Sequence, residues 1–243
     1  MVEGQAAGTR RLYGRRQGHR LRPAQRARFE RLLPKLRLVL ADDGTPVACE
    51  TLFSKPPDDI WLEIGFGGGE HLIWQAKAHP KIGFLGCEPF VNGLARLLTQ
   101  VEAEKLQNVR VFPDDARALL AALPPASLGR VFLLFPDPWP KTRHHKRRFV
   151  SEENLQALAR VMKDGAELRL ASDDAGYVEW MLRHLLAAAD FAWEAKVSAD
   201  WHVRPADWPP TRYEAKAVRE GREIAYLRFR RRPRRRPGQV EKG

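Results

Sequence analysis

Five acidic residues stand at or just past the ends of five successive apolar runs: Glu63, Glu88, Asp115, Asp137 and Asp173. In an α/β sheet a ligand lies just outside the carboxyl ends of the strands, so side chains at these positions reach it first. Singly, each reads equally well as a solvated loop carboxylate. Five in step with five strands read as one site.

The first acid stands in Asp59-Ile60-Trp61-Leu62-Glu63-Ile64-Gly65-Phe66-Gly67-Gly68-Gly69-Glu70-His71, a short strand that stops at glycines and passes into a helix. Gly65 and Gly67 can take positive φ and let a ligand lie against bare backbone. A dinucleotide fingerprint, G-x-G-x-x-G, would need a third glycine where Glu70 stands. A carboxylate beside a pyrophosphate repels it, whereas a ligand with a positive end and no phosphate is attracted. S-adenosylmethionine, with a cationic sulfonium and amino group on an adenosine, fits. A dinucleotide oxidoreductase is the weaker reading of the same stretch.

Glu88 falls 25 residues past Glu63, near the spacing at which an acid accepts from both ribose hydroxyls. Asp115, with Asp114 as a competitor, is placed to accept from the adenine amino group. In Phe135-Pro136-Asp137-Pro138-Trp139-Pro140-Lys141, three prolines stiffen the backbone and hold Asp137 and Trp139 in set directions at a strand mouth. Lys141-Thr142-Arg143-His144-His145-Lys146-Arg147-Arg148 follows and offers phosphate contacts. The adjacent His144 and His145 lack the spacing and partner ligands of a metal site, and no metal is expected. A last polar-aromatic cluster is Asp207-Trp208-Pro209-Pro210-Thr211-Arg212-Tyr213-Glu214. In it, Thr211 and Glu214 could bond a base edge while Arg212 or Tyr213 stacks on it.

The elements that must position these groups are legible in the apolar periodicity. Strands are expected at 60–64, 82–88, 108–112, 130–135 and 166–171. Helices are expected from Glu70; through Val91, Leu94, Leu97, Leu98 and Val101; and through Leu119, Leu120 and Leu123. Two more should run from an N-cap at Ser151 through Met162, ended by Asp164-Gly165, and from about Asp174 through Val178, Met181, Leu182, Leu185 and Leu186. Phe191–Val197 and Ile224–Arg230 read as two further strands with no full-length helix between them. The fold class is therefore α/β: one open, mostly parallel sheet of seven strands, closed by an antiparallel pair and covered by helices. Near the N-terminus, Arg22 to Leu40, with Pro23 followed by Phe29, Leu32, Leu33 and Leu36, suggests a short basic helix broken near Pro34.

The net charge of +12 is unevenly placed. Residues 1–37 carry 11 Lys/Arg against 2 Asp/Glu, and residues 228–243 carry 8 against 1. The body between them is mildly acidic, apart from the basic run at 141–148. That distribution points to a polyanion, with nucleic acid the leading candidate. Two cysteines, Cys49 and Cys87, offer no disulfide framework and suit a reducing cytoplasm. No apolar run is long enough to span a bilayer, so neither membrane nor secretion is expected. The expected division is a basic, partly disordered segment at 1–37, one domain at 38–230 and a flexible polybasic tail at 231–243.

Together these stretches resemble the bacterial tRNA (guanine-N(7)-)-methyltransferases. The likeness runs from Gly14-Arg15-Arg16-Gln17-Gly18 to Arg230. It includes the Glu63–His71 loop, Gly86-Cys87-Glu88, the Pro-Asp-Pro-Trp-Pro-Lys segment, Ser172-Asp173 and Thr211-Arg212-Tyr213-Glu214. The resemblance implies a Rossmann-like S-adenosylmethionine-dependent fold, with cofactor contacts from Glu63, Glu88, Asp115 and Asp137. It implies substrate contacts from Lys141, Asp173 and Thr211, Arg212, Tyr213 and Glu214, and RNA contacts from Arg143, His144, His145, Lys146, Arg147 and Arg148. The reaction it implies is methylation of guanine at nucleotide 46 of tRNA, in the variable loop. Asp137 is then the catalytic acid, stabilising the charge that develops on the purine. A methyltransferase acting on another RNA, and a non-catalytic RNA-binding protein, remain the alternatives; the chain could act as a monomer or a homodimer.

Overall fold

The computed structural model describes residues 16–234. After helix α1 (Pro23–Leu36), strand and helix alternate: β1 (Asp59–Ile64), α2 (Glu70–Ala78), β2 (Ile82–Cys87), α3 (Val91–Ala103), β3 (Val109–Phe112), α4 (Ala116–Ala122), β4 (Leu128–Leu134), α5 (Glu152–Val161), β5 (Met162–Ser172) and α6 (Ala175–Ala187). The chain ends in β6 (Phe191–Trp193), the short helices α7 (Ala199–His202) and α8 (Arg212–Arg219), and β7 (Ala225–Arg231). The strands form one sheet in the order β3-β2-β1-β4-β5-β7-β6. β1 to β5 are parallel, and β7 runs antiparallel to both β5 and β6. The expected seven-stranded, mostly parallel sheet with a terminal antiparallel pair is the observed one.

Alternation along the central strands builds a core on each face. Ile60, Leu62, Ile64, Val131, Leu133, Leu168 and Leu170 meet Leu119 of α4, Leu155 and Leu158 of α5, and Met181 and Leu185 of α6. Trp61, Phe84, Phe132 and Leu134 face the other way, toward Leu72 of α2, Leu94 and Leu97 of α3 and Ala217 of α8. The central strands are thus buried on both sides, as βαβ crossovers require.

Several expectations are corrected. α1 runs through Pro34 to Leu36 instead of breaking there; the ring removes one bond to the preceding turn, and the helix still closes beyond it, the Arg37 N–H donating to the Leu33 carbonyl at 2.8 Å. α5 starts at the Ser151 cap as expected but ends at Val161, and Met162 already pairs with Leu128. Asp164-Gly165 does not end a helix. It lies within β5, where the pairing jumps from Leu128↔Met162 to Arg130↔Glu167 and Gly165 takes φ +79°. A glycine that reads as a helix stop serves instead as a strand irregularity. Leu186 is 62% exposed, outside the buried Tyr177, Met181 and Leu185 face of α6. β6 is only three residues long, and α8 occupies ground read as loop.

The chain beyond β7 is held to the domain up to the last described residue. Arg234 donates to the carbonyls of Arg160 and Met162 at 2.8 Å each, and Arg232 Nε to that of Phe191 at 3.1 Å. Arg234, at the end of α5, meets the negative pole of that helix dipole. No helix among the described residues is long and apolar enough to cross a membrane.

Candidate active site

A cavity of about 420 Å³ opens at the carboxyl ends of β1, β2 and β4. Its floor is Ile64, Gly65 and Gly67 of the glycine loop with Gly93 of α3, and its acids are Glu88, Asp114, Asp115 and Asp137. The loop needs its glycines. Gly65 and Gly67 take φ of +72° and +57°, and any side chain on Gly93 would run into the carbonyl of Gly67. The result is a bare-backbone floor of the kind that admits a nucleoside.

Glu88 ends β2 almost out of reach of water. Its Oε2 accepts from the Gly67 N–H at 2.8 Å and its Oε1 from the Phe90 N–H at 2.9 Å. Burial raises its pKa above the ordinary glutamate value, against those two hydrogen bonds. A carboxylate has about four acceptor sites, so two stay open toward the cavity. Asp115 caps α4, accepting from the Arg117 N–H at 2.9 Å and from Arg117 Nη1 at 2.8 Å. Asp114 Oδ1 takes Arg16 at 2.9 Å. Buried Cys87 is a free thiol that donates to the Asp114 carbonyl at 3.1 Å.

Asp137 differs from these. Among the described residues nothing hydrogen-bonds or ion-pairs with it, and the protein crowded round it raises its pKa although its tip stays open to water. Its loop is strained: Phe135 and Trp139 take φ of +50° and +45°. Each such residue costs on the order of 1–3 kcal/mol, and such strain collects at functional sites. The prolines expected to aim this loop therefore hold it in a conformation it would not adopt freely.

The structure gives several other expected site residues different partners. Glu63 does not line the cavity; it lies beneath the glycine loop, 3% exposed, and its carboxylate accepts from His71 Nδ1 at 2.7 Å. Asp173 lies outside the cavity wall and accepts from Arg222 at 2.8 Å. Thr211 caps α8 by accepting from the Glu214 N–H at 3.2 Å. Glu214 is taken up by Tyr226 Oη at 2.8 Å, by Arg204 at 2.9 Å and by the Thr211 N–H. Thr211 and Glu214 are thus a capping box, so their polar groups build the helix start and are not spare for a base edge. Arg212 and Tyr213, between them, do line the cavity; the Tyr213 ring stacks on Phe135 at 6.2 Å and 20°.

The basic run forms a 3₁₀ helix over Thr142–Arg147. Lys141, Arg143 and Lys146 are exposed. His144 packs edge-on to Trp139 and His145 to Trp180. Arg147 lies over the Trp139 ring at 4.8 Å and lines the cavity. Arg148 is corrected outright as an RNA contact. It is 5% exposed, donates to the Pro138 carbonyl at 2.8 Å and sits 4.9–5.0 Å over the rings of Trp180 and Tyr177. Its charge holds the Asp137 loop from below. Among the described residues no three His, Cys, Asp or Glu side chains are grouped to hold a metal ion.

Sequence reasoning missed Phe90, Arg96, Arg117 and Phe149 in the cavity wall. Phe90 was the findable one, an aromatic two residues past a strand-end acid. The others are brought in by helix and loop packing that leaves no local pattern.

A family described as "Putative methyltransferase" matches residues 57–227. A protein of Rhodospirillum rubrum named tRNA (guanine-N(7)-)-methyltransferase is 50% identical over 226 residues, 92% of this chain and 89% of its own length. One of Mesorhizobium japonicum with the same name is 53% identical over 221 residues, 91% of this chain and 94% of its own. Among solved structures, the 16S rRNA methyltransferase KamB superposes with a TM-score of 0.51 at 18% identity, covering 73% of this chain and 89% of that one. An rRNA methylase from Streptococcus thermophilus gives 0.50 at 10% identity, covering 89% and 100%. At those identities the structural likeness is one of fold.

Proposed function

The chain belongs to the family of tRNA (guanine-N(7)-)-methyltransferases, and we propose that it transfers the methyl group of S-adenosylmethionine to N7 of guanine 46 in tRNA. The observation that carries this reading is the acid-rimmed cavity on a glycine floor, with the Asp137 carboxylate unpartnered at its mouth. Its volume, about 420 Å³, suits a nucleoside-sized ligand. Four arginines, Arg96, Arg117, Arg147 and Arg212, line the wall beside the four acids. The group that suits a cation is Asp137, to which no described residue is bonded, and the Gly67 N–H is already given to Glu88 and so withheld from any phosphate. Glu88 would hold the ribose hydroxyls and Asp115 the adenine edge, with Gly65 and Gly67 beneath. Glu63 supports the loop from below through His71.

When bound, S-adenosylmethionine supplies a methyl group on a positively charged sulfur. Guanine N7 already presents a lone pair, so the protein needs no strong base; its work is alignment. Asp137, lining the cavity, would face the positive charge that appears on the purine and stabilise it. Arg212 and Tyr213 would hold the base, in a turn built by Thr211 and Glu214, with Lys141 and Asp173 at the rim. The exposed Arg143 and Lys146 would take phosphates, and the arginines before α1 could add to that grip. Together they offset the cost of unstacking a guanine from folded tRNA, a few kcal/mol.

Calorimetry with S-adenosylmethionine, then methylation of bulk tRNA with radiolabelled cofactor and nucleoside mapping, tests the proposal. Label confined to 7-methylguanosine at nucleotide 46 supports it. Label in another nucleoside, or none, refutes it.

A further inference from the structure

The segment that delivers Arg212 and Tyr213 to the cavity is tied down at a residue the cavity never touches, Asp207. Its main-chain carbonyl accepts from Gln75 Nε2 of α2 at 3.0 Å, and its carboxylate from Arg169 Nη2 of β5 at 2.6 Å. Arg169 is 3% exposed, whereas the Asp207 side chain is half exposed, so the segment lies as a cover over a buried cation.

The sheet face beneath is unusually polar. Glu63, Arg130, Glu167 and Arg169 share it with Trp61 and Phe132, and register sets Arg130 beside Glu167 and Phe132 beside Arg169. One oxygen of Glu167 lies 2.9 Å from Arg169 Nε and 3.0 Å from Arg130 Nε, while Arg130 Nη1 is 3.9 Å from Asp207. Two guanidinium groups thus share two carboxylates. Arg169 Nε and Nη1 make no hydrogen bond among the described residues. The bond to Asp207 is therefore the one well-formed hydrogen bond of a cation shut off from water. Removing a partner from such a pair leaves an uncompensated buried charge.

The anchor is stiffly coupled to the cavity. Trp208, 3% exposed, lies 5.4 Å from the Arg169 guanidinium and 5.5 Å from the Tyr226 ring. Pro209 and Pro210 follow, each with fixed φ, so little slack separates the anchor from the Thr211 cap. At the other end of the clasp, Gln75 Nε2 also donates to His71 Nε2 at 3.2 Å. That bond leaves the ring proton on Nδ1, facing Glu63 under the glycine loop. One side chain of α2 thus touches both the support of the glycine loop and the base of the Arg212 arm.

We infer that Asp207 is a positioning residue for methyl transfer: its clasp on Arg169 and Gln75 sets where Arg212 and Tyr213 stand over the cavity. The inference rests on reading that cavity as the methyl-transfer site. It makes Asp207 act on turnover through the arm, since the residue does not line the cavity.

The test compares full-length wild type with Asp207→Asn, Asp207→Glu and Gln75→Met, in tRNA methylation kinetics and in amide hydrogen exchange. Asp207→Asn should lower kcat by about 10- to 100-fold, the scale of a small misplacement of a positioning group. KM for tRNA should stay within roughly threefold, because the phosphate-facing residues are untouched. Exchange at residues 211–215 should quicken while that of α6 does not change. Asp207→Glu, which keeps the charge, should recover part of the rate. Gln75→Met removes the clasp on the carbonyl together with the bond to His71 Nε2; it should quicken exchange at 211–215 to a smaller extent, and that local readout carries the test if Asp207→Asn fails to fold. Wild-type exchange and kcat in a folded Asp207→Asn overturn the inference, as does an equal loss in Asp207→Glu. If the wild type itself methylates no tRNA, the proposed activity fails, and exchange at 211–215 alone decides the clasp.

Discussion

Replacing Asp137 by asparagine should slow methyl transfer and leave RNA binding intact. Asparagine keeps the shape of the side chain and removes its charge. A unit positive charge about 4 Å from a carboxylate, at an effective dielectric of about 20, is worth about 4 kcal/mol. With transfer half complete the gain is about 2 kcal/mol. Rates should therefore fall by about 30-fold, rising toward about 1,000-fold as the transition state approaches complete transfer. Single-turnover transfer with radiolabelled cofactor measures this step apart from product release, and filter binding gives the tRNA affinity, expected within about twofold of wild type. The pH profile is a second readout. Crowding raises the Asp137 pKa above the ordinary aspartate value, so the wild-type rate should fall as pH drops through that raised value. Asp137→Asn should lack this acid limb. The sign for stability is the reverse. A carboxyl that holds its proton more tightly when folded favours the fold at low pH and opposes it once ionised. The variant should thus match or exceed the wild-type Tm at neutral pH. A variant that transfers methyl within about threefold of wild type would refute the electrostatic role.

Glu88→Ala should fail in both binding and folding. It strips the acceptor from the Gly67 and Phe90 N–H groups, at about 1–3 kcal/mol for each left buried and unpaired. Calorimetry should show cofactor affinity lowered by about 10-fold or more, and thermal melts a reduced Tm. The basic loop should separate by position. Arg143→Ala with Lys146→Ala should weaken tRNA binding and reduce the slope of log affinity against log salt by about 2. Arg148→Ala should leave that slope unchanged and lower Tm instead, because its guanidinium is packed between Tyr177 and Trp180. A salt slope that changes with Arg148 would contradict its burial.

The sheet was readable from sequence because its central strands are buried on both faces. Ile60 to Ile64 and Val131 to Leu134 pack both ways, and apolar runs bounded by glycine or proline leave little choice of element. The misreadings occur where one local signal serves two structures. Gly165 would end a helix or bend a strand equally well, and only the pairing of Met162 with Leu128 decides. Thr211-x-x-Glu214 is a capping box by spacing. The same residues also read as base-binding chemistry in a loop, because the eight residues of α8 are too few to show a clear period.

For the site, strand-end spacing identified where the acids are but not which way they face. Glu63 and Glu88 end neighbouring parallel strands, yet one turns under the glycine loop to His71 and the other up to Gly67 and Phe90. What separates them is the partner each meets, and His71 reaches Glu63 only because α2 folds back over β1. Burial of a carboxylate demands such a partner, so the acids at the strand ends differ in how far the protein already answers them. Glu63, Asp115 and Asp173 are answered by His71, Arg117 and Arg222. Asp137, held by strained backbone and answered by nothing among the described residues, is the one whose charge the fold leaves to be used.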